Sequence, residues 1–206
     1  MLRIKTFKLF TSKNIILTID DLSFDLGTFS YIQGDNSTGK SLFLSTLAGQ
    51  YKKFTGEIIF KNKPLLNWKN DFLLLNNDLP VIKKLDYIEN IQLSLGRLGT
   101  IQKSRLLEMA TILDIVDNLK TKMEYSSRCE RMFMYLIRAA LLSPSILMID
   151  DIDDYFDETI FDKVYQVISL CLKSGMLVIS TGKSNMVNNL TFKIDSGELR
   201  KYEPKI

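Results

Sequence analysis

The first stretch of the chain that could do chemistry is a glycine-rich segment spanning residues 34–41. It consists of Gly34, Asp35, Asn36, Ser37, Thr38, Gly39, Lys40 and Ser41, and it fits the pattern G-x-x-x-x-G-K-[ST] at every fixed position. Glycines let the backbone curl so that several N–H groups point at a phosphate chain. The lysine suits the β- and γ-phosphates of a nucleotide, and the final hydroxyl suits Mg²⁺. The segment therefore predicts a phosphate loop that binds a nucleoside triphosphate with Mg²⁺.

The predicted elements on either side of the loop are those that its chemistry requires. Residues 29–33 resemble a short buried strand, and residues 41–48 resemble the helix that follows it. A helix N-terminus carries partial positive charge and N–H groups without an intrahelical partner, and both favour an anion. The alternative is a chance glycine-rich turn before a helix, and the strand and helix in place argue against it.

A second candidate element is the apolar run 146–149, which ends in Asp150 and Asp151. In nucleotide-binding proteins with a phosphate loop, an apolar strand delivers an aspartate to Mg²⁺ in this way. Asp150 is therefore the predicted metal ligand, together with Ser41. The following residue, Asp151, is the predicted carboxylate that polarises the attacking water. A strand that runs into an acidic turn is the other interpretation, because further aspartates follow at positions 153, 154 and 157.

Length, composition and charge limit the possible functions. A chain of 206 residues is one large domain, or one domain with a subdomain. The net charge of +3 is too small and scattered to indicate nucleic acid as a partner. Two cysteines, Cys129 and Cys171, suggest a reducing cytosol rather than a disulfide framework. No apolar run is long enough to span a bilayer, so we expect the chain to reach a membrane only through a partner. The absence of histidine excludes any mechanism that needs an imidazole.

Strands and helices alternate around the phosphate loop, and this order predicts an α/β fold with a parallel core sheet. The chain begins with a mostly antiparallel β region. Helical patterns in residues 86–119 and 130–142 predict an insert between the two halves of the sheet. The predicted strands are residues 2–9, 14–19, 22–26, 29–33, 56–60, 72–75, 146–149, 176–180, 192–194 and 198–202, and a further predicted helix covers residues 159–172.

The order of these elements resembles that of the ATP-binding subunit of an ABC transporter: a β region, the phosphate loop, the helical insert, the apolar strand with its two aspartates, and finally Thr181. The resemblance covers essentially the whole chain. It implies a single P-loop NTPase domain of the ABC ATPase type, with a mixed sheet core, an antiparallel β subdomain and an inserted α-helical subdomain. Residues 1–80 and 144–206 would form the core with the β subdomain, and residues 81–143 the helical subdomain.

The resemblance also implies cofactors, partners and location. ATP and Mg²⁺ would be the cofactors. The partners would be a second ATP-binding subunit, in a homodimer or heterodimer, and an integral membrane permease, with no nucleic acid. The chain would then be cytoplasmic and peripheral on the cytoplasmic face of the inner membrane.

Within that family, the chain is most similar to the cell-division type FtsE and its lipoprotein- and macrolide-exporter relatives. The stretch from Asn77 to Gly99 matches this group without a gap, including the pair at positions 89 and 90. Residues 126–130 fall at the spacing of the signature motif LSGGE, and Asp157 matches the D-loop aspartate. The permease would then be FtsX-like. The haem-exporter ATP-binding protein of cytochrome c maturation is an alternative of similar length, but it lacks the gapless match.

The motifs that touch nucleotide directly are only partly kept. Phe10 lies near the place where an aromatic ring could stack on adenine, although a core phenylalanine is an equal possibility. Arg128 and Cys129 replace both signature glycines, so the segment facing an opposing subunit's γ-phosphate is bulkier. Ser127 and Glu130 persist there, and the resemblance assigns nucleotide binding to Ser127.

The motifs that assist hydrolysis also depart from the family. Asn77 replaces the Q-loop glutamine, Asp151 replaces the catalytic glutamate, and Gly182 replaces the switch histidine. The resemblance therefore assigns catalysis to Asp151, Asn77 and Thr181, with Thr181 partly standing in for the missing imidazole. Two hypotheses follow: a slow ATPase that drives a membrane partner, or a nucleotide-binding regulatory or scaffolding subunit that rarely hydrolyses ATP.

Overall fold

The computed structural model describes residues 1–12, 14–64, 71–77, 80–183 and 192–202. Asp78 and Leu79, which belong to the stretch matched to the cell-division type, lie outside the described residues. The strands are β1 (Leu2–Thr11), β2 (Asn14–Phe24), β3 (Phe29–Gln33), β4 (Phe54–Phe60), β5 (Lys63–Pro64), β6 (Phe72–Leu75), β7 (Ile146–Ile149), β8 (Leu177–Gly182), β9 (Phe192–Asp195) and β10 (Glu198–Lys201). The helices are α1 (Lys40–Leu47), α2 (Tyr87–Leu95), α3 (Thr100–Ile112), α4 (Arg128–Leu142) and α5 (Glu158–Lys173), with short 3₁₀ helices at Met123–Tyr125 and Ile152–Asp154.

The described strands form one ten-stranded mixed sheet, in the order β5-β4-β1-β2-β10-β9-β3-β8-β7-β6. Strands β3, β8, β7 and β6 are parallel neighbours, with α1, α4 and α5 in the connections between them. Strand β1 pairs antiparallel with both β2 and β4. The predicted α/β fold, with a mixed sheet and an antiparallel β region, is confirmed.

The second and third predicted strands are in fact one strand, β2, so the predicted break between them is wrong. Asp20 and Asp21 are exposed and interrupt the apolar pattern, which caused the error. Pairing with β1 nevertheless continues, with Lys5 opposite Asp21. Arg3 Nε donates a hydrogen bond to Asp21 Oδ1 at 3.1 Å, and this bond lowers the pKa of the Asp21 carboxyl. Cross-strand charge pairs of this kind stabilise a sheet face without apolar side chains.

The predicted helical region 86–119 contains two helices, α2 and α3. Gly96 ends α2 with a φ of 69°, which favours glycine, and Gly99 precedes α3. The apolar residues that recur at helical spacing in and just after α3 are only partly buried: Leu106, Ala110 and Leu113 are buried, whereas Leu107 and Val116 are exposed. Among the helices in the described ranges, none is long and apolar enough to cross a bilayer.

The hydrophobic core lies on both sides of the sheet, and strand β7 is buried on both of its faces. Ile146 and Met148 of β7 face the cluster that contains α1, whereas Leu147 and Ile149 face the cluster that contains α4 and α5. All four side chains are at most 1% exposed. Burying an aliphatic side chain of this size contributes roughly 1.5–3 kcal/mol. The strand is therefore fixed from both faces, and the half-buried Asp150 follows directly at its carboxyl end.

Candidate nucleotide site

The predicted site residues converge because four parallel strands end at the same edge of the sheet. Gly34 follows β3, Thr181 lies near the end of β8, Asp150 follows β7 and Asn77 lies just beyond β6. Backbone hydrogen bonds join these ends: Gly34 N donates to the Gly182 carbonyl at 3.1 Å, and Asp150 N donates to the Leu75 carbonyl at 2.8 Å. In open α/β sheets, ligands bind at this carboxyl edge.

The phosphate loop has the backbone that its glycines predict. Gly39 has a φ of 95°, in the left-handed region, and it immediately precedes α1. A Cβ at this position would lie 3.2 Å from Ile16 Cδ1, so the space beside the loop is also tight. Thr38 Oγ1 donates to the Asp35 carbonyl at 2.8 Å and closes the loop. The loop conformation therefore depends on glycine at position 39 for both its dihedral angle and its space.

Lys40 supplies a buried cation at the N-terminus of α1. Its side chain is only 4% exposed, and Nζ donates to the carbonyls of Gly34 at 2.7 Å and Asp35 at 2.9 Å. Asp151 Oδ1 lies 3.7 Å from Nζ, an ion-pair distance. Helix α1 has no side-chain cap and no acidic residue in its first turn. The free N–H groups at the start of α1 and the ammonium of Lys40 therefore both favour an anion at the loop. A phosphate chain fits this arrangement.

A cavity of about 390 Å³ lies against the loop, and both polar and apolar side chains line it. The polar lining includes Lys40, Ser41 and Asp151. The aliphatic side chains in the lining are those of Ile16 and Leu42. Its chemistry suits a nucleotide, because the charged groups sit together and the aliphatic groups could contact a base.

Phe10, the predicted adenine partner, lies at the end of β1, next to the cavity-lining Thr11. It is half-buried. Its backbone N donates to the Lys53 carbonyl at 2.9 Å, and its carbonyl accepts from Tyr51 Oη at 2.5 Å. Ile16 is the aliphatic residue that this part of the chain places in the cavity wall. Stacking of Phe10 on a base therefore stays a prediction.

Thr181 organises the two carboxylates that follow β7. Its hydroxyl donates to Asp150 Oδ1 at 2.8 Å and accepts from Asp151 N at 2.8 Å. The side chain is completely buried. A hydroxyl has one proton, and here Thr181 donates that proton to Asp150. The predicted role of Thr181 at the γ-phosphate, as a substitute for an imidazole, stays a prediction.

Asp151 has the environment expected of a perturbed carboxylate. Its backbone φ of 44° lies in the left-handed region, which is unusual for a residue other than glycine. Burial raises the pKa of its carboxyl, and the nearby charge of Asp150 raises it further, whereas Lys40 opposes the shift. A raised pKa makes a carboxylate a better proton acceptor at neutral pH.

Ser41 and Asp150 form a donor set that fits Mg²⁺ rather than a self-contained metal cage. The described part of the chain contains no group of three or more His, Cys, Asp or Glu residues that could hold a metal ion. Mg²⁺ in nucleotide sites is usually held by one or two carboxylates together with phosphate oxygens and water. The hydroxyl of Ser41 and the carboxylate of Asp150, fixed by Thr181, would therefore hold the ion with the nucleotide. Bound there, Mg²⁺ would neutralise charge on the phosphates.

Asn77 is engaged by Arg128, a contact that sequence reasoning missed. Arg128 Nε donates to Asn77 Oδ1 at 3.0 Å, and Nη2 also donates to this oxygen. The guanidinium lies 3.4 Å from Asp154 Oδ2 and 4.7 Å from the ring centroid of Tyr155. The residue that replaces a signature glycine thus ties the start of α4 to the ends of β6 and β7. The only sequence signal was an arginine where the family has glycine.

Ser127, the other predicted nucleotide contact in this segment, caps α4. Its Oγ accepts from Glu130 N at 3.1 Å, and the Glu130 carboxylate accepts from Ser127 N at 2.8 Å. This reciprocal pair is a capping box. It explains within one chain why serine and glutamate stand three residues apart. A contact from Ser127 to nucleotide on an opposing subunit stays a prediction.

Comparisons with known proteins agree with this geometry. The family profile described as ABC transporter matches residues 17–153. The lipoprotein-releasing system ATP-binding protein LolD of Treponema denticola is 25% identical over 211 residues, covering 95% of this chain and 93% of that protein. The putative hemin import ATP-binding protein HrtA of Staphylococcus epidermidis is 24% identical over 187 residues, covering 84% and 83%, respectively.

Solved structures give the same fold. A putative ABC transporter ATP-binding protein from Pyrococcus furiosus superposes with a TM-score of 0.81 at 21% identity, covering 94% of this chain and 96% of that one. An ATP-binding cassette solved as a dimer in a post-hydrolysis state, with ADP and phosphate bound, gives a TM-score of 0.78 at 19% identity and 98% coverage of both chains. With the phosphate loop, the Asp150–Asp151 edge and the profile match together, the chain belongs to the ABC transporter family, as an ATP-binding subunit.

Proposed function

We propose that this chain binds MgATP at the carboxyl edge of its sheet and hydrolyses it slowly, and that this cycle drives a membrane complex. The observation that carries the proposal is Lys40. It is a buried cation at an uncapped helix N-terminus, within ion-pair distance of the carboxylate of Asp151. Such a charge arrangement suits a phosphate chain, because the same positive groups serve the β- and γ-phosphates.

Asp151 is the proposed general base. Its place in the cavity lining, with Oδ1 3.7 Å from Lys40 Nζ, supports this role. The side chain is one methylene shorter than the glutamate that the family resemblance implies at this position. A catalytic group misplaced by about 1 Å can lose on the order of a hundredfold in rate. We therefore expect turnover well below the median enzyme value of roughly 10 per second.

The proposed partners are a second ATP-binding subunit and a membrane permease, with the chain peripheral on the cytoplasmic face of the inner membrane. The match over 95% of the chain to LolD, the ATP-binding protein of a lipoprotein-releasing system, supports the lipoprotein-related group, although HrtA is named for hemin import. Among the finer assignments, we propose the group that joins lipoprotein exporters with FtsE, in which the permease would be FtsX-like and the process cell division. Co-expression with the permease should move the chain to the membrane fraction, whereas firm membrane binding without any partner would contradict this location.

A second candidate function is a regulatory or scaffolding subunit that closes on ATP and rarely hydrolyses it. Arg128 favours this alternative, because its guanidinium bonds to Asn77 and Asp154 of the same chain. These bonds hold to its own chain the start of α4, the segment that the family resemblance places opposite another subunit's γ-phosphate.

Steady-state phosphate release distinguishes the two functions. Wild type, Asp151→Glu and Asp151→Asn are compared with MgATP and the permease present, with Asp162→Asn on the exposed face of α5 as the matched control. The ATPase proposal predicts that Glu raises the rate, Asn abolishes it and the control leaves it unchanged. Rates equal to the buffer blank for all four proteins, with ATP still bound, would favour the regulatory function. Brisk turnover that survives Asp151→Asn would show that another residue is the base.

A further inference from the structure

Gly182 lacks a side chain because two other side chains already fill that space. A Cβ at this position would lie 2.1 Å from Asp153 Oδ1 and 2.2 Å from Tyr31 Oη. Heavy atoms in proteins do not approach this closely without moving. The φ of Gly182 is not positive, so its backbone conformation does not demand glycine. The space at position 182 therefore requires glycine, whereas its φ angle does not.

The two side chains that fill this space are hydrogen-bonded to each other. Tyr31 Oη donates to Asp153, at 3.0 Å from Oδ1 and 3.3 Å from Oδ2. The tyrosine is completely buried in β3. The Asp153 carboxylate also accepts from Lys183 N at 2.6 Å. A hydrogen bond to an ionised group is roughly twice as strong as one between neutral groups.

The pair connects the phosphate loop to the turn that carries Asp151. On one side, Tyr31 lies in β3, three residues before Gly34, where the loop starts. On the other side, Asp153 lies two residues after Asp151, in a turn closed by a 2.9 Å hydrogen bond from Asp154 N to the Asp151 carbonyl.

Strand β8 adds further bonds to the same network. Gln33 Nε2 donates to the Lys183 carbonyl at 3.1 Å, and Gly34 N donates to the Gly182 carbonyl, also at 3.1 Å. A short chain of hydrogen bonds thus runs from the start of the loop, through the end of β8, to the turn after β7.

We propose that Tyr31 and Asp153 are positioning residues that replace a side chain at position 182 and hold Asp151 in register with the phosphate loop. The inference rests on the proposed function only because it takes Asp151 as the general base. The hydrogen-bonded link from the phosphate loop through Tyr31 and Asp153 to the turn after β7 is a property of the fold. Because an error of about 1 Å at a catalytic group can cost on the order of a hundredfold, loosening this pair should slow catalysis more than it weakens nucleotide binding.

The first test removes one hydroxyl from the pair and measures local order, which requires no catalysis. Tyr31→Phe is compared with Tyr165→Phe, whose ring packs edge-on against Phe29 of the same strand and serves as the control. Amide hydrogen exchange should become faster in the peptide spanning residues 150–155 for Tyr31→Phe and not for the control. Equal exchange in that peptide for wild type and Tyr31→Phe would overturn the proposal, whether or not the protein hydrolyses ATP.

The second test asks whether the pair and position 182 compete for one space. Gly182→Ala should lower the melting temperature of the wild type strongly. It should have a much smaller effect in the Tyr31→Phe/Asp153→Ala background, where the obstructing oxygens are gone. Equal losses in the two backgrounds, or no loss in either, would contradict the proposal.

Where wild-type phosphate release is measurable, Tyr31→Phe should lower kcat by roughly tenfold to a hundredfold. The ATP dissociation constant should change by less than threefold. A loss confined to ATP affinity, with kcat unchanged, would contradict the positioning role. Absence of ATP binding by the wild type would instead refute the proposed function, and the exchange and melting experiments would still decide the role of the pair.

Discussion

The hydroxyl of Thr181 is a single group whose removal tests how the two aspartates after β7 are held in place. Its hydroxyl donates to Asp150 and accepts from the backbone N of Asp151, both at 2.8 Å, and the side chain is completely buried. Thr181→Val keeps the shape but removes both bonds. The Asp151 amide then has no Thr181 hydroxyl as its acceptor, and Asp150 loses the group that orients it.

The size of the effect follows from these two bonds. A hydrogen bond to a charged group contributes more than a neutral one, and a buried donor left unpaired is destabilising in its own right. Together the two losses should reduce the free energy of unfolding by about 3 kcal/mol. For a domain of this size, that corresponds to a fall in melting temperature of roughly 6–12 °C.

The neighbouring residue provides a matched control on the same strand. Ser180 is also completely buried, yet its Oγ has no hydrogen-bond partner within the described part of the chain. Ser180→Ala should therefore leave the melting temperature unchanged or raise it slightly, because it removes a buried hydroxyl without a partner. Thr181→Ser, which keeps the hydroxyl, should lose less stability than Thr181→Val.

Calorimetric melting of the four proteins at neutral pH gives the answer, and MgATP affinity of the folded variants gives the functional counterpart. We expect Thr181→Val to weaken MgATP binding more than it weakens ATP binding without Mg²⁺, since Asp150 is the disturbed ligand. Equal melting temperatures for Thr181→Val and Ser180→Ala would refute the assignment of Thr181 as the residue that holds the two aspartates.

Three further predictions concern ionisable side chains. Burial raises the pKa of Asp151 above its value in the unfolded chain. The folded state therefore loses stability as the pH rises from the pKa of the unfolded chain to the pKa of the folded chain. Asp151→Asn should therefore be more stable than wild type near pH 7, and melting scans should show this gain disappearing below about pH 4. Arg128→Ala should lower the melting temperature by roughly 2–6 °C, because its bonds to Asn77 and Asp154 are partly exposed and contribute modestly; an unchanged value would show that they contribute nothing. Burial raises the pKa of Cys129 to about 11, so alkylation of this thiol should be slow at neutral pH and accelerate at alkaline pH, and rapid labelling at neutral pH would contradict this.

Much of the fold could be predicted because the strongest signals are local. The phosphate loop specifies its own glycine conformation, and the apolar run 146–149 predicts a strand buried on both faces. The serine and glutamate at positions 127 and 130 are a local helix-start signal, which the structure has as a capping box. Local patterns failed at Asp20 and Asp21, because pairing with β1 continues across two exposed charges. Strand continuity there is set by the partner strand and not by the segment itself.

The contacts that distinguish this site could not be predicted, because they join residues far apart in the chain. The hydroxyl of Tyr31 meets Asp153 across 122 positions, and Arg128 meets Asn77 across 51. The sequence shows only that glycine stands at position 182. It does not show that this position is crowded rather than empty. Such pairs are fixed by the sheet order, which the pattern of one segment does not contain.

The most direct test of the central claim is isothermal titration calorimetry of MgATP with wild type, Lys40→Ala and Lys103→Ala. Lys103 lies exposed on α3, so its substitution removes the same charge away from the site. We predict that wild type and Lys103→Ala bind MgATP with equal affinity, and that Lys40→Ala binds at least about tenfold more weakly, because the loop loses the ammonium group of Lys40. Equal affinities for wild type and Lys40→Ala would contradict the assignment of this loop as the nucleotide site.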